Sequence, residues 1–327
     1  MRRRSIQDLE EFMPNVALKY LSEGKNVALA TVVSTWGSAP RGVGSQLAIS
    51  SDGEFEGSVS GGCVEGAVIV EALDAMSDGQ CKLLEYGVAD EDAFAVGLAC
   101  GGDIKILVEP VDIGSGIKSD DLKTIVTSFG DRKTIGYSID LSDFERSKLS
   151  DNDVRTGVKD DRFYLTYSPS PRLVIVGAVH ITKTLSSIAK MAGYDVYLVD
   201  PRESFASIAR FPEDIFLEGW SDEALKDLGI DANTAIVTLS HDPKIDTPAL
   251  EVALKSDAFY IGSLGSKKTH GKRIAQLQSL GFDEAEIDKI HSPIGLNIGS
   301  KTPPEIAISI MAEITQVFHD RKVRDNS

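Results

Sequence analysis

The second half of the chain alternates short apolar runs with longer amphipathic segments, and this alternation restricts the fold more than any other feature. The runs are Leu173–Val176, Tyr197–Val199, Ile215–Leu217, Ala235–Leu239 and Ala258–Ile261. Runs that are apolar throughout are typical of parallel strands that crossover helices bury from both sides. The pattern therefore predicts an α/β fold with a doubly wound parallel sheet over residues 171–327.

The first half predicts a mixed α/β domain over residues 1–111, which begins with an amphipathic helix at residues 5–22. Strands are predicted at Val27–Val33, Gln46–Ile49, Glu54–Ser58, Cys81–Tyr86 and Ile104–Val108, and a helix at Val64–Met76. Residues 112–170 are more polar and are predicted to form a small α/β insert or linker, which ends in a segment rich in serine and proline.

The charge of the chain restricts its partners. A formal net charge of -16 predicts that the protein as a whole repels nucleic acid and anionic membranes. An anionic ligand must then be held locally, by backbone N–H groups and a few cations. No apolar run approaches the ~20 residues of a membrane span, and no apolar signal-peptide core follows the basic N-terminus. The three cysteines show no CxxC spacing, so we expect a cytoplasmic protein without a disulfide framework.

The first strand-to-helix turn of the parallel region resembles part of a dinucleotide-binding fingerprint. Gly177 fits the first glycine of that fingerprint, and Asp200 ends the next strand, where a carboxylate can contact a ribose hydroxyl. Val179 occupies the second glycine position, and its side chain obstructs the approach of a pyrophosphate. The pattern fits a Rossmann-like scaffold without nucleotide as well as it fits an NAD(P) site, in which His180 would lie close by.

A second glycine-rich turn follows the last of the apolar runs. Its candidate phosphate ligands are Gly262, Ser263, Gly265, Ser266 and Lys267. Glycine and serine at such a turn expose backbone N–H groups, and the helix dipole favours an anion there. Two consecutive lysines, Lys267 and Lys268, oppose the dipole unless an anion is bound, which favours phosphate binding over a plain turn.

Two of the three cysteines lie beside glycine pairs. Cys63 follows such a pair at a predicted helix N-terminus, a position that favours the thiolate, and Cys100 precedes another pair. Thiolates are soft ligands for transition metals, although a buried, inert thiol is the alternative. Cys81 lies within a strand pattern and is predicted to be structural. Arg41, in a glycine-rich loop, can clamp a phosphate or carboxylate, or can simply be solvated.

Several of these stretches occur together in one known family. They are Thr31–Arg41, Ser60–Glu65, Cys100–Asp103, Gly262–Lys268 and Pro293–Glu305. In these motifs and in their order the chain resembles the XdhC/CoxI family, over about residues 27–112 and 171–318. The resemblance implies an N-terminal XdhC/CoxI-type domain followed by a Rossmann-like domain. Family members usually have a glycine where this chain has Val179.

The resemblance also implies a function. Such proteins are accessory factors that bind molybdenum cofactor (molybdopterin), assist its sulfuration, and insert it into an apo xanthine dehydrogenase-type enzyme. By resemblance, a cysteine desulfurase is a further candidate partner and the protein is a homodimer. The residues implied at the metal end are Gly61, Gly62, Cys63 and Glu65, with Cys63 as the metal ligand. The turn from Gly262 to Lys267 would serve the phosphate end.

Two other functions remain open at the level of sequence. An NAD(P)-dependent oxidoreductase could use His241 or His180 as an acid–base group, since His241-Asp242 follows a predicted strand. Asp242 could instead be a helix cap. A sulfur-transfer or redox enzyme could use Cys63 as a nucleophile. A complete xanthine dehydrogenase is excluded, because its all-cysteine iron–sulfur clusters need more cysteines than the three in this chain.

Overall fold

The structure is a computed structural model that describes residues 11–37, 41–87, 102–150, 155–207 and 209–324. The chain divides into two compact units, of which the first ends at Pro169 and the second begins at Ser170.

An antiparallel sheet forms the centre of the first unit. Its strands are β1 (Val27–Trp36), β2 (Gln46–Ser50), β3 (Phe55–Gly57), β4 (Lys82–Tyr86) and β5 (Asp103–Pro110). Their order in the sheet is β3-β2-β1-β5-β4, with Leu29 of β1 opposite Ala48 on one side and Glu109 on the other. The predicted strands are present, and β1 continues beyond the predicted end at Val33.

Two helices cover opposite faces of this sheet because successive strand residues point to opposite sides. Helix α1 (Met13–Ser22) packs on the face that carries Leu29, and helix α2 (Glu65–Asp78) packs on the face that carries Ala28 and Ala30. Residues 5–10 of the helix predicted at residues 5–22 lie outside the described residues, and Glu11 and Phe12 are not helical. The helix begins at Met13, with Pro14 in its first turn, where proline is favourable.

The polar segment after β5 belongs to the first unit. It contains helix α3 (Ser119–Gly130) and the strands β6 (Ile135–Asp140), β7 (Arg146–Lys148), β8 (Gly157–Lys159) and β9 (Arg162–Tyr167). The strands form an antiparallel sheet in the order β7-β6-β9-β8. Tyr137, Phe163 and Leu165 join the same apolar core as helix α1. The short strands β7 and β8 carry too few apolar residues for the sequence to predict them.

The second unit is built on a six-stranded parallel sheet. Its strands are β10 (Arg172–Val176), β11 (Asp195–Val199), β12 (Ile215–Phe216), β13 (Thr234–Thr238), β14 (Tyr260–Ser263) and β15 (Ile290–His291). Their order is β12-β11-β10-β13-β14-β15, so the direction of winding reverses between β10 and β13. This order confirms the predicted doubly wound sheet. The sequence did not predict β15, which has only two residues.

Helices cover both faces of the parallel sheet. They are α4 (His180–Met191), α5 (Ser221–Leu228), α6 (Pro243–Leu254), α7 (Lys267–Ser279), α8 (Glu284–Ile287) and α9 (Pro303–Arg324). Leu185 of α4 and Ile310 of α9 pack on one face, whereas Leu225 of α5 and Leu250 of α6 pack on the other. The last helix begins at Pro303, where proline is favourable in the first turn.

This topology places the turns after β10, β11, β13 and β14 at the carboxyl edge of the parallel sheet, where open α/β sheets bind ligands. In the part of the chain that the structure describes, no helix combines the length and apolar character that crossing a membrane requires.

Candidate functional site

The loop before α2 carries the first group of predicted ligand residues. Gly61 and Gly62 are exposed and have φ angles of 78° and 108°, a region that favours glycine. These conformations bring the chain to Cys63, whose side chain is partly exposed and partly packed on the apolar core beneath α2. The loop therefore displays a thiol at its surface.

A buried carboxylate holds this loop from below. Glu65 is 8% exposed, and its Oε1 accepts hydrogen bonds from Ser58 Oγ at 2.8 Å, Val59 N at 3.2 Å and Ser60 N at 2.9 Å. Its Oε2 accepts Gly62 N at 2.9 Å and the hydroxyl of Ser60. Burial alone would raise the pKa of Glu65, but the hydrogen bonds from Ser60 and Ser58 outweigh burial and lower this pKa to about 2. Glu65 is therefore ionised at neutral pH.

The backbone N–H groups from Val59 to Val64 all donate to side chains of the same loop. Besides the bonds to Glu65, the hydrogen bonds are Gly61 N to Ser58 Oγ at 2.9 Å, Cys63 N to Ser60 Oγ at 3.0 Å and Val64 N to Ser60 Oγ at 2.9 Å. The amides of Gly61 and Gly62 therefore stabilise the loop itself, and the place of both residues at the metal end stays a prediction. Glu65 likewise faces into the loop as its anchor, which leaves the Cys63 sulfur as the ligand group that this loop offers.

The cysteines differ in their surroundings. Cys81 is buried, its thiol donates to the carbonyl of Ser115 at 3.5 Å, and burial raises its pKa to about 11, which agrees with a structural role. Cys100 lies outside the described residues. No cluster of three or more metal-ligating side chains occurs among the described residues. A metal held at Cys63 would therefore have to bring most of its ligands with it.

Arg41 lies exposed in the connection between β1 and β2, beside residues 38–40, which are outside the described part of the chain. Its role as a ligand clamp stays a prediction.

In the second unit, Gly177 follows β10 and has a φ of 109°. A Cβ atom at Gly177 would lie 2.6 Å from the backbone nitrogen of Ser240, which follows β13. Glycine is therefore required here by the neighbouring chain segment, whether or not a ligand binds.

The N–H groups of this turn are also committed. Ala178 N donates to Asp200 Oδ2 at 2.8 Å, and Val179 N donates to the hydroxyl of Thr182 at 3.2 Å. The same hydroxyl donates to the carbonyl of Gly177 at 2.6 Å. A dinucleotide pyrophosphate would have to compete with these bonds as well as with the Val179 side chain.

Asp200 anchors the turn with its carboxylate. Its Oδ1 accepts Arg202 N at 3.1 Å and Arg202 Nε at 2.8 Å, and its Oδ2 accepts Ala178 N at 2.8 Å and Arg202 Nη2 at 2.7 Å. Burial would raise the pKa of Asp200, but the bonds from Arg202 and Ala178 lower it. Since a carboxylate has about four lone-pair positions, all are occupied. A ribose hydroxyl would have to displace one of these bonds, so the ribose contact and the NAD(P) alternative stay predictions.

The two histidines of the oxidoreductase alternative lie near this edge. His180 is the exposed first residue of α4, and His241 is an exposed residue with a φ of 61°. Asp242 caps α6, since its carboxylate accepts Lys244 N at 2.9 Å. This confirms the interpretation of Asp242 as a helix cap.

Two residues of the second glycine-rich turn belong to the sheet. Gly262 lies in β14, where a Cβ atom would lie 2.5 Å from Ile294 Cδ1 and 2.7 Å from Tyr260 Cε1. Ser263 is fully buried, and its hydroxyl shares a 2.5 Å hydrogen bond with that of Thr238. Packing in the sheet accounts for both residues without a ligand, and their contact with a phosphate stays a prediction.

The remaining residues of that turn lie at the start of α7. Ser266 caps the helix, its hydroxyl accepting Thr269 N at 3.2 Å, and Lys267 is the exposed first helical residue. Gly265, with a φ of 153°, lies just before the cap. Phosphate binding at Gly265, Ser266 and Lys267 stays a prediction.

One residue of this region was not predicted from the sequence. Arg273 is 8% exposed, and its Nη2 donates to the carbonyl of Leu264 at 3.1 Å. It shares a helix face with Leu277, four residues further on, which is fully buried. An arginine at a position of the apolar face was the available signal.

Comparisons with known proteins agree with this architecture. A family model described as XdhC and CoxI family matches residues 20–87, and one described as XdhC Rossmann domain matches residues 173–314. The molybdenum cofactor insertion chaperone PaoD of Escherichia coli (strain K12) is 30% identical over 301 residues, which cover 92% of this chain and 86% of that protein. A Bacillus subtilis (strain 168) protein described as a probable xanthine dehydrogenase subunit is 25% identical over 319 residues, covering 90% of this chain and 94% of that protein.

A solved structure has the same fold. A crystal structure of a Bacillus halodurans protein described as a xanthine dehydrogenase matches with a TM-score of 0.71 and 25% identity, over 94% of this chain and 96% of that chain. Fold and turns thus define an α/β protein in which an antiparallel-sheet unit precedes a Rossmann-type unit. The chain belongs to the XdhC and CoxI family, which confirms the resemblance found in its motifs.

Proposed function

We propose that the protein binds molybdenum cofactor as its cargo and assists the insertion of that cargo into a xanthine dehydrogenase-type molybdenum hydroxylase. The observation that carries the proposal is the partly exposed thiol of Cys63, held on a loop that a buried, ionised Glu65 anchors. The similarity to the Escherichia coli insertion chaperone supports it.

The chemistry of the loop suits transient binding of a metal cofactor. A thiolate is a soft ligand for a transition metal, and the cofactor's own dithiolene supplies further ligands. Cys63 would bind the metal, whereas Glu65, Ser60 and Ser58 only fix the loop that carries it. Because no cluster of three or more ligands lies among the described residues, few protein–metal bonds need to break for the cargo to leave.

In the second unit, Gly265, Ser266 and Lys267 would bind a phosphate group. We further propose that the protein assists sulfuration of the cofactor. Its partners would be those that the family implies, which are the apo enzyme, a cysteine desulfurase and a second copy of the chain in a homodimer. The proposal also includes a cytoplasmic location. Arg41 and Cys100 remain candidate ligand residues in the proposal, and NAD(P) is not part of it.

The experiment is retention of cofactor by the full chain. Wild-type protein, Cys63→Ala and the control Ser77→Ala, an exposed position on the helix that follows the Cys63 loop, are purified from a host that makes molybdenum cofactor. Molybdenum is measured by elemental analysis and the pterin by fluorescence after oxidation. We expect equal retention in wild type and Ser77→Ala, and a loss of at least tenfold in Cys63→Ala.

Two results would contradict the proposal. Equal retention in Cys63→Ala and wild type would remove Cys63 as the metal ligand. The chaperone function itself would be removed if the wild-type protein retained no cofactor and if it also transferred none to a purified apo hydroxylase.

A further inference from the structure

Arg273 is a buried cation directly behind the first turn of α7. Its Nη2 bonds the carbonyl of Leu264 at 3.1 Å and lies 3.7 Å from the place where a Cβ atom of Gly265 would be. Its Nη1, on the same carbon atom, is shielded from solvent and has no hydrogen-bond partner among the residues that the structure describes. The guanidinium thus reaches the turn through Nη2, while Nη1 is an unused donor on the same group.

The backbone of the same turn offers further donors. The N–H of Thr269 is taken by the hydroxyl of Ser266, and the N–H of His270 is taken by the carbonyl of Ser266. The N–H groups of residues 265–268 find no acceptor within the described ranges. Unbonded N–H groups at a helix N-terminus suit an anion.

The three charged side chains at this turn, those of Lys267, Lys268 and Arg273, are all positive. Lys267 and Lys268 are exposed, and neither forms an ion pair with a described residue. Both oppose the helix dipole, which already places partial positive charge there. Arg273 adds a charge that is more than nine-tenths buried, and a buried charge without a partner is costly. A bound anion would stabilise the positive charges of all three side chains.

The nearby acidic groups do not supply that anion. Asp246 of α6 acts on Arg273 electrostatically, but its carboxylate accepts the hydroxyl of Ser240 at 2.6 Å, and burial raises its pKa. Asp288 acts in the same way on His270, whose shielded Nδ1 has no partner among the described residues. Neither carboxylate forms an ion pair with Arg273 within the described residues.

We infer that the first turn of α7, with Lys267, Lys268 and Arg273, is a binding site for a phosphate group. The turn offers donors and cations, and a phosphate oxygen accepts hydrogen bonds and carries charge. The inference deepens the proposed function and rests on it only for the molecule that carries the phosphate, which would be the pterin cofactor. The guanidinium of Arg273 is the residue that distinguishes this site from an ordinary helix N-terminus.

The test uses the full chain and inorganic phosphate as the probe. Thermal unfolding is followed at increasing phosphate concentration, with chloride at equal ionic strength as the reference, because a ligand that binds only the native state raises the unfolding midpoint. Arg273→Met keeps an apolar chain of similar length and removes the charge. We expect it to weaken phosphate binding at least about tenfold, the effect of losing one charge-assisted hydrogen bond.

Two further variants make the test specific. The double variant Lys267→Gln with Lys268→Gln is expected to weaken phosphate binding in the same direction. The control is Lys255→Gln, which removes an exposed positive charge after the end of α6, at the opposite edge of the sheet. We expect Lys255→Gln to respond to phosphate like the wild type.

The inference is overturned if the wild type shows no phosphate-specific stabilisation, or if Arg273→Met folds and responds like the wild type. If Arg273→Met does not fold, the double lysine variant decides, and an unchanged response in that variant overturns the inference. The inference is supported if the response to phosphate is weakened in Arg273→Met and in the double lysine variant but not in Lys255→Gln.

Failure here is distinguishable from failure of the proposed function. The phosphate response is measured on protein without cofactor, and Cys63→Ala is expected to keep it. A wild-type chain that responds to phosphate but never retains molybdenum cofactor would refute the chaperone function and leave the site intact. A chain that retains the cofactor through Cys63 without any phosphate response would refute the site alone.

Discussion

Replacing Glu65 by glutamine tests whether one buried carboxylate holds the thiol loop. Oε1 of Glu65 accepts the backbone N–H groups of Val59 and Ser60, and Oε2 accepts that of Gly62. A glutamine amide has only one oxygen, so its NH₂ group must face one of these two sets of donors. At least one buried backbone N–H then loses its acceptor, at a cost of about 1–3 kcal/mol.

The pKa of Glu65 gives an independent magnitude. A decrease from 4.5 to about 2 corresponds to about 3 kcal/mol of stability at neutral pH, at about 1.4 kcal/mol per pKa unit. Because the folded-state pKa is lowered, this contribution is complete above the unfolded value near 4.5 and is lost as the pH falls towards 2. The two estimates agree on a deficit of about 3 kcal/mol for Glu65→Gln at pH 7.

Hydrogen exchange followed by mass spectrometry measures this deficit within the first unit. Peptides that contain Ser60–Val64 are expected to lose protection by about a hundredfold in Glu65→Gln at pH 7. The control Asp74→Asn removes a charge from a side chain that is 67% exposed on the same helix, and it should change protection by less than about 0.5 kcal/mol. At pH 3 the deficit of Glu65→Gln should fall to roughly half or less. An equal deficit at both pH values would refute the reasoning.

Three further outcomes are expected from the same physical arguments. Gly262→Ala should destabilise the second unit by about 1–3 kcal/mol through overpacking in chemical denaturation, and no loss would show that the sheet can relax. Glu109→Gln should cost about 3–5 kcal/mol, because it leaves the buried Arg146, now bonded to Glu109 at 2.6 and 2.7 Å, without its counter-charge; urea unfolding of the double variant with Arg146→Met should recover part of the loss. Iodoacetamide at pH 8 should modify Cys63 well before Cys81, whose burial raises its pKa to about 11, and peptide mapping that finds Cys81 modified first would contradict the assigned burial.

Local pattern was sufficient to predict much of the fold. The apolar runs from Leu173 to Ile261 indicated a parallel sheet because a strand buried on both faces needs no polar alternation. The hairpin around Gly53 and the start of α2 followed from turn residues and helical periodicity. Short elements such as β7, β8 and β15 could not be predicted, since two or three residues carry no periodic signal.

The candidate site was predicted only in part. The motifs located the Cys63 loop and the turn before Lys267, because glycine and serine mark positions where the chain must turn. They did not show that Gly262 is a glycine because Ile294 lies against it, or that Arg273 lies buried behind the turn. Such facts depend on which atoms from distant segments come into contact.

The sequence by itself determined the order of the elements, the parallel sheet and the glycine turns, since these follow from periodicity and backbone freedom within a few residues. Only the tertiary structure decided where the polar groups of those turns direct their hydrogen bonds. Asp200 was placed correctly at the end of a strand, yet its carboxylate makes four bonds to Ala178 and Arg202 that its position in the sequence did not indicate. A hydrogen bond needs a partner within about 3 Å, and that distance is set by packing between segments that lie far apart in the chain.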